Sequence, residues 1–330
     1  MSGSIAVIIP YYQREPGLLR RALDSIAAQV GIERVVVLVV DDESPLPPDD
    51  EIRASVIAND AVVVLRQANS GPGIARNTGL DNLPDDCEFI AFLDSDDYWA
   101  PGHLLNATTV LGEDLDFYFS NTLFEDFEQD TFTRSGRLDP QSCSPLGRGS
   151  NAFRYVGDML DQVVRACIIE TSTVVYRRER FGHHRFNLRF RSSCEDHLLW
   201  LAIANEGCRF VFTTDVELHS GRGVSIYKSM GMGSDTLMPA LIDQYRYYRE
   251  IEEMCSSSPV LRQVNLERIT EIRTSVVADV LHRLVRHLPI DRSRLRSYIT
   301  QDPALLVLAL PLALKVFLRR KKAHRLMDES

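Results

Sequence analysis

Residues 89–97 read Phe89-Ile90-Ala91-Phe92-Leu93-Asp94-Ser95-Asp96-Asp97. The five apolar residues suit a short strand buried on both faces. An acidic stretch ends the run at once. Three similar runs precede it, at 5–9, 35–40 and 62–65. Between the first two, Leu19, Ala22, Leu23 and Ile26 recur at helical spacing. Strands alternating with helices predict βαβ units and a mixed, mostly parallel sheet covered on both faces. Further along, 171–176 and 210–213 predict strands, and 195–205 predicts a helix with Leu198, Leu201 and Ala202 on one face. The polar stretch 122–154, rich in Gly, Pro and Ser, predicts a long loop. From about Met238 the pattern is helical. The expected organisation is an α/β domain over 1–235 and a helical C-terminal region over 236–330.

In such sheets ligands bind beyond the carboxyl ends of the strands. The residues that follow the four runs are Pro10-Tyr11-Tyr12, Asp41-Asp42-Glu43-Ser44, Asn69-Ser70-Gly71-Pro72-Gly73 and Asp94-Ser95-Asp96-Asp97. Parallel strands would bring all four to one edge and concentrate carboxylates and turn residues there.

The 330 residues allow one large or two small domains. Hydrophobic residues make up 45% and charged residues 25%, as in an ordinary globular protein. A net charge of -9 argues against a surface that coats nucleic acid. Six cysteines without C-x-x-C spacing argue against a zinc site and a disulfide framework. Met1-Ser2-Gly3-Ser4 leads straight into a strand, with no signal-peptide pattern. The default expectation is a reducing, cytoplasmic setting.

Several short patterns carry possible chemistry, each with a bland alternative. Asp94 and Asp96 can converge on one hard cation, which would stabilise charge on a diphosphate leaving group. They can equally form a solvated acidic turn. Asp42 can accept from a base or a ribose, or make an Asx turn. Gly71-Pro72-Gly73 opens a helix carrying Arg76, which can face phosphates or simply belong to a helix start. Asp196, near the start of the predicted helix, can act as a general base toward a sugar hydroxyl. With Ser193 it also fits a capping box. His219 can complete a metal shell as neutral imidazole. His183, His184 and His197 show no partner spacing.

The order of these signals resembles family 2 glycosyltransferases of the GT-A fold. The resemblance rests on Ile8-Ile9-Pro10-Tyr11-Tyr12, Asp41-Asp42-Glu43-Ser44, Gly71-Pro72-Gly73-Ile74-Ala75-Arg76-Asn77, Phe92-Leu93-Asp94-Ser95-Asp96-Asp97-Tyr98-Trp99 and Cys194-Glu195-Asp196 with Leu199-Trp200-Leu201. It covers about residues 4–228. It implies a Rossmann-like nucleotide-sugar-binding fold and an inverting hexosyltransferase with a UDP-sugar donor. By position, Pro10 and Tyr11 would line the base pocket, and Asp42 would contact the uracil. Arg76 and Ser95 would sit on the donor side. Asp94 would bind the ribose or assist the cation, Mn2+ or Mg2+, and Asp96 would ligate it directly. His219 would touch the metal or diphosphate, and Asp196 would be the base. The segment before the Glu-Asp pair, Phe181-Gly182-His183-His184-Arg185-Phe186-Asn187, departs from the family's usual Gly-Gly-Phe-Asp.

The tail bears on the acceptor. An apolar stretch at 304–314 precedes Lys315, Arg319, Arg320, Lys321, Lys322 and Arg325. It is shorter than the roughly 20 residues a spanning helix needs. It can lie in a membrane interface beside anionic lipids or pack as a core helix, and Pro311 should kink or end it. The wider pattern is similar to bacterial exopolysaccharide glucosyltransferases, including those of succinoglycan assembly. That implies glucose transfer to a lipid-linked saccharide at the inner face of the plasma membrane, by a peripheral enzyme that can oligomerise and does not bind nucleic acid. Two rivals remain on sequence alone: a nucleotidyltransferase or other phosphate-handling enzyme, and a non-catalytic carbohydrate- or membrane-binding protein.

Overall fold

Strand β1 (Ser4–Tyr11) has no face left to water, with Ile5 to Ile9 all fully buried. It pairs in parallel with β2 (Val35–Asp41) on one side and β4 (Cys87–Phe92) on the other. Strand β3 (Val62–Arg66) extends the parallel set beyond β2. The polar residues after these four strands therefore share one edge, as expected. The computed structural model describes residues 4–112, 114–147, 151–221, 231–256 and 258–328, without the side chains of 166 and 319–328.

Beyond β4 the direction changes. Strand β9 (Val175–Arg177) runs antiparallel to both β4 and β6 (Phe117–Phe124). Strand β10 (Phe210–Ser220) pairs parallel to β6 and antiparallel to β5 (Tyr98–Trp99) and β8 (Ala152–Arg154). A short β7 (Ser144–Pro145) closes the order β3-β2-β1-β4-β9-β6-β10-β8-β7. The sheet is thus mixed. The segment predicted as one strand at 171–176 divides into a 3-10 turn (Thr171–Thr173) and the start of β9.

Helices α1 (Leu18–Ala27), α2 (Asp49–Ala54), α3 (Pro72–Asp81) and α4 (His103–Leu111) follow the first strands. Leu19, Ala22, Leu23 and Ile26 of α1 are all buried, as their spacing predicts. Gly71 supplies φ 93 and Pro72 the first helical position, which starts α3. Within α3, a Cβ at Gly79 would stand 2.5 Å from Ile8 Cγ2. Only glycine lets this helix lie so close on β1.

The stretch 122–154 is not a featureless loop where it is described. It holds the end of β6, α5 (Thr131–Ser135), a 3-10 turn (Pro140–Ser142), β7 and β8; residues 148–150 lie outside the description. Asp130 caps α5 by accepting from Thr133 N. Phe132 packs edge-on against Phe119 and Phe212. Those aromatic partners are distant in sequence, so composition alone missed the structure.

Helices α6 (Met159–Ala166), α7 (Arg178–Phe181) and α8 (Glu195–Asn205) complete this part. Trp200 of α8 is fully buried, with its ring 5.1 Å from Phe117 in a T-shaped contact and 6.4 Å from Phe92. Aromatic packing of this kind adds about 1 kcal/mol to area burial. It anchors the helix whose first residues are Glu195 and Asp196.

Contacts divide the chain into two units, Met1–Arg191 with Glu195–Val224, and Ser192–Cys194 with Ser225–Ser330. The second contains α9 (Leu237–Glu250), α10 (Glu252–Ser256), α11 (Pro259–Arg286), α12 (Arg292–Gln301) and α13 (Ala304–Asp328). Leu241, Tyr245, Ile272, Val276, Tyr298 and Leu312 share its core. Arg273 grips the buried Asp302 carboxylate with two bonds, of 2.6 and 2.8 Å. Pro311 does not end α13, which runs on to Asp328. Leu305, Leu312 and Val316 are buried on either side of Pro311, and their packing holds the helix through the lost backbone bond.

Candidate active site

Three strand-end loops are stitched together by short polar contacts. Gln13 N donates to Ser44 Oγ at 2.8 Å, and that hydroxyl donates back to Gln13 O at 3.1 Å. The Gln13 side-chain amide donates to Ser95 Oγ at 2.9 Å. Pro10 and Tyr11 close β1 beside these contacts, and burial and Glu51 push the Tyr11 phenol up to about 12. Asp41 Oδ1 accepts from Ser44 N at 2.9 Å and makes the local turn.

Asp42 does something the local turn reading did not anticipate. Its buried carboxylate accepts from Gln67 Nε2 at 2.7 Å and from Ser70 N and Gly71 N at 2.8 Å each. It thereby satisfies backbone donors at the entry to α3. Asp42 builds the wall of this edge from inside the protein.

Arg76 leaves α3 almost fully buried. Nη2 donates to Asp94 Oδ1 at 2.6 Å, Nη1 reaches Glu195 Oε1 at 3.4 Å, and Cζ lies 5.4 Å from the centre of the Phe186 ring. Burial opposes its charge, but Asp94 and Glu195 outweigh burial and hold the guanidinium above its ordinary pKa.

The acidic stretch turns sharply, with Asp97 N donating to Asp94 O at 3.0 Å. Asp96 O accepts from Arg21 Nη2 at 2.8 Å. Asp97 Oδ1 accepts from Gly221 N at 3.1 Å. Burial, then the neighbouring charges of Asp96 and Asp94, push the Asp97 carboxyl well above the usual range. Asp94 and Asp96 offer the oxygen donors that a hard divalent cation such as Mg2+ or Mn2+ takes, whereas Asp97 is buried and bonded to Gly221.

The imidazole of His219 stacks on Tyr98, with centroids 5.1 Å apart and planes at 15°, and Arg21 covers Tyr98 at 4.5 Å. Asp94, Asp96 and His219 are not drawn into one tight cluster. Among the described residues, the set with ligand atoms all within 4.8 Å of one another is His183, His184 and Glu206. His183 and His184, for which sequence spacing offered no partner, thus meet the residue just beyond α8.

Asp196 sits in the first turn of α8. Oδ2 accepts from Thr171 Oγ1 at 3.1 Å, and Oδ1 accepts from His197 N at 2.8 Å. Burial and the charge of Asp196 raise the Glu195 carboxyl to about 7, against the opposing pull of Arg76. Glu170 is raised to about 7 by burial, Asp196 and Asp94. The structure thus gathers Arg76, Asp94, Glu195 and Asp196, and adds Glu170, Arg21 and Gly221. Nothing in the sequence around those three marks them out.

A Rossmann-like parallel half-sheet, with an acid cluster and a helix-start carboxylate on the same edge, defines a GT-A glycosyltransferase. The chain matches Glycosyl transferase family 2 over residues 6–185 and belongs to that family. It is 37% identical over 231 residues to the succinoglycan biosynthesis protein ExoW of Rhizobium meliloti, an alignment covering 68% of this chain and 71% of the relative. It is 27% identical over 271 residues to an uncharacterized glycosyltransferase, RC0461, of Rickettsia conorii, covering 82% of this chain but only 41% of that longer protein. Its fold is similar to that of S. aureus TarS 1-349 in complex with UDP-GlcNAc, with a TM-score of 0.59 at 20% identity, covering 98% of this chain and 92% of that one. It is also similar to the mannosyltransferase PcManGT of Pyrobaculum calidifontis in complex with GDP-Man and Mn2+, with a TM-score of 0.56 at 17% identity, covering 95% and 88%.

Proposed function

We propose that this glycosyltransferase is an inverting hexosyltransferase of surface-polysaccharide assembly. It moves glucose from a UDP-sugar to a hydroxyl of a lipid-linked saccharide. The observation that carries the reading is the Arg76 bridge. One buried cation joins Asp94, at the end of β4, to Glu195, next to Asp196. Donor-side acids and a candidate base are thereby held on one edge. The succinoglycan role printed for the 37% identical relative supports the polymer class. The UDP-GlcNAc and GDP-Man complexes of similar folds support a nucleotide-sugar donor.

Mn2+ or Mg2+, held by Asp96 with Asp94 beside it and His219 at the rim, would supply charge stabilisation for the diphosphate leaving group. The chain's own residues do the rest. Pro10, Tyr11 and Asp42 shape the base pocket, and Ser95 and Arg21 fix the loop that carries Asp96. Asp196 takes the proton from the acceptor hydroxyl as its oxygen attacks the anomeric carbon opposite the leaving group. A single displacement inverts configuration at that carbon.

The deciding experiment incubates purified protein with a panel of nucleotide sugars and a saccharide acceptor, with Mn2+ or with EDTA. UDP release from UDP-glucose, restored by Mn2+ after chelation, is expected. NMR of the product should show a β-linkage from the α-linked donor. Release of pyrophosphate or phosphate would point to the phosphate-handling rival, and full activity in EDTA would remove the cation from Asp96.

A further inference from the structure

We propose that the outer face of α13 is a contact surface for an anionic lipid bilayer. The helix has two apolar sides. Leu305, Leu312 and Val316 face the core of the second unit, with Leu308 and Ala313 packed against it. On the other side Leu306, Val307, Leu310, Leu314 and Leu318 are 56 to 81% exposed. At about 100° per residue these five fall within one sector of roughly 120°. No charge interrupts the sector, and Lys315 projects to its side. A continuous stripe of this kind on an otherwise ordinary surface marks an interaction site.

The charge pattern selects lipid as the occupant. Arg319, Arg320, Lys321 and Lys322 follow the stripe directly, in a chain whose net charge is -9. An apolar helical face that ends in a basic run matches acyl chains bordered by anionic headgroups. A second copy of this chain would offer another apolar stripe, and the test below separates that occupant from lipid.

The geometry favours lying on the membrane over crossing it. Among the described residues no single helix is long and apolar enough to span. The bent pair of α12 and α13, at 110°, passes on length and composition. However, Arg292, Arg294 and Arg296 of α12 are exposed and Tyr298 is buried in the protein core. The inner face of α13 is also occupied by protein, so only the other side is exposed. Attachment of this kind would concentrate the enzyme where a lipid-linked acceptor resides.

The test is sedimentation of the full chain with vesicles of phosphatidylcholine alone or mixed with phosphatidylglycerol. Three proteins are compared: the parent, Val307→Gln/Leu310→Gln, and a variant with Gln at 319–322. The face variant leaves the buried residues of α13 unchanged, and neither variant changes a residue named in the active site. The parent should pellet with anionic vesicles and much less with neutral ones. The face variant should bind at least about tenfold more weakly. The charge variant should lose at least about tenfold and most of its salt dependence. All three should keep the same melting temperature and the same UDP release in solution, so failure here is separable from failure of the enzymatic reading. No pelleting of the parent with anionic vesicles overturns the proposal, as does equal pelleting of the face variant. An oligomer that dissociates on Val307→Gln/Leu310→Gln, without vesicle binding, also overturns it and assigns the face to a second copy.

Discussion

Arg76 Nη2 lies 2.6 Å from Asp94 Oδ1, and the same guanidinium reaches Glu195 Oε1 at 3.4 Å. Arg76 is therefore both a structural tie and the charge that keeps two acids of the site together. Its side chain is 4% exposed, whereas that of Asp94 is 36% exposed. Arg76→Met should destabilise the protein by roughly 2–3 kcal/mol, below the full penalty for a wholly buried pair because water screens Asp94. Urea unfolding in EDTA measures this. A loss under about 0.5 kcal/mol would mean that the bridge does not form.

Asp196 is held by Thr171 and by the first turn of its own helix. Asp196→Asn keeps size and shape but cannot accept the acceptor's proton. Turnover should fall by about 10²–10⁴, while UDP binding measured by calorimetry stays within about threefold of the parent. Normal turnover in this variant would remove the base assignment.

Gly221 presses against the acidic loop. A Cβ there would overlap the Asp96 carbonyl oxygen and the Arg21 guanidinium. Gly221→Ala must displace the loop that carries Asp96. The expected result is a large loss of transfer and weaker Mn2+ binding, with near-parental circular dichroism. Unchanged Mn2+ affinity would show that the loop position does not matter for the cation.

Glu170 titrates at about 7 in the folded protein, raised from 4.5 by burial, Asp196 and Asp94. A raised carboxyl binds its proton more tightly when folded. Its stabilising contribution is therefore complete below about pH 4.5 and is lost as pH rises to about 7. The stability of the parent relative to Glu170→Gln should fall across that window, by up to about 3 kcal/mol, and level off above it. Melting temperatures of both proteins in EDTA across the pH range measure this. A flat difference would place Glu170 in water.

The two acids adjacent in sequence, Glu195 and Asp196, show why part of the site was legible. Both open a helix whose Leu199-Trp200-Leu201 core signal is local, so their place at its start follows from pattern. The same holds for Gly71-Pro72, where backbone preferences alone start α3. Asp42 was legible as a strand-end acid. Its use as acceptor for Ser70 N and Gly71 N was not, because those donors arrive from the end of a different strand. The face of α13 was also ambiguous in one dimension. An apolar run cannot say which of its sides meets protein, and here Leu305 and Leu312 do while Val307 and Leu310 are exposed.

The sequence by itself determined the parallel half of the sheet, the edge where polar residues collect, and the family. These depend on hydrophobic runs and turn residues that act over a few positions. Tertiary structure alone decided the antiparallel insertion of β9, the partnership of Arg76 with Glu195 across 119 positions, and the entry of Glu170, Arg21 and Gly221 into the site. Burial, like-charge crowding and close backbone approach are properties of three-dimensional neighbours. No local pattern of residue types encodes them.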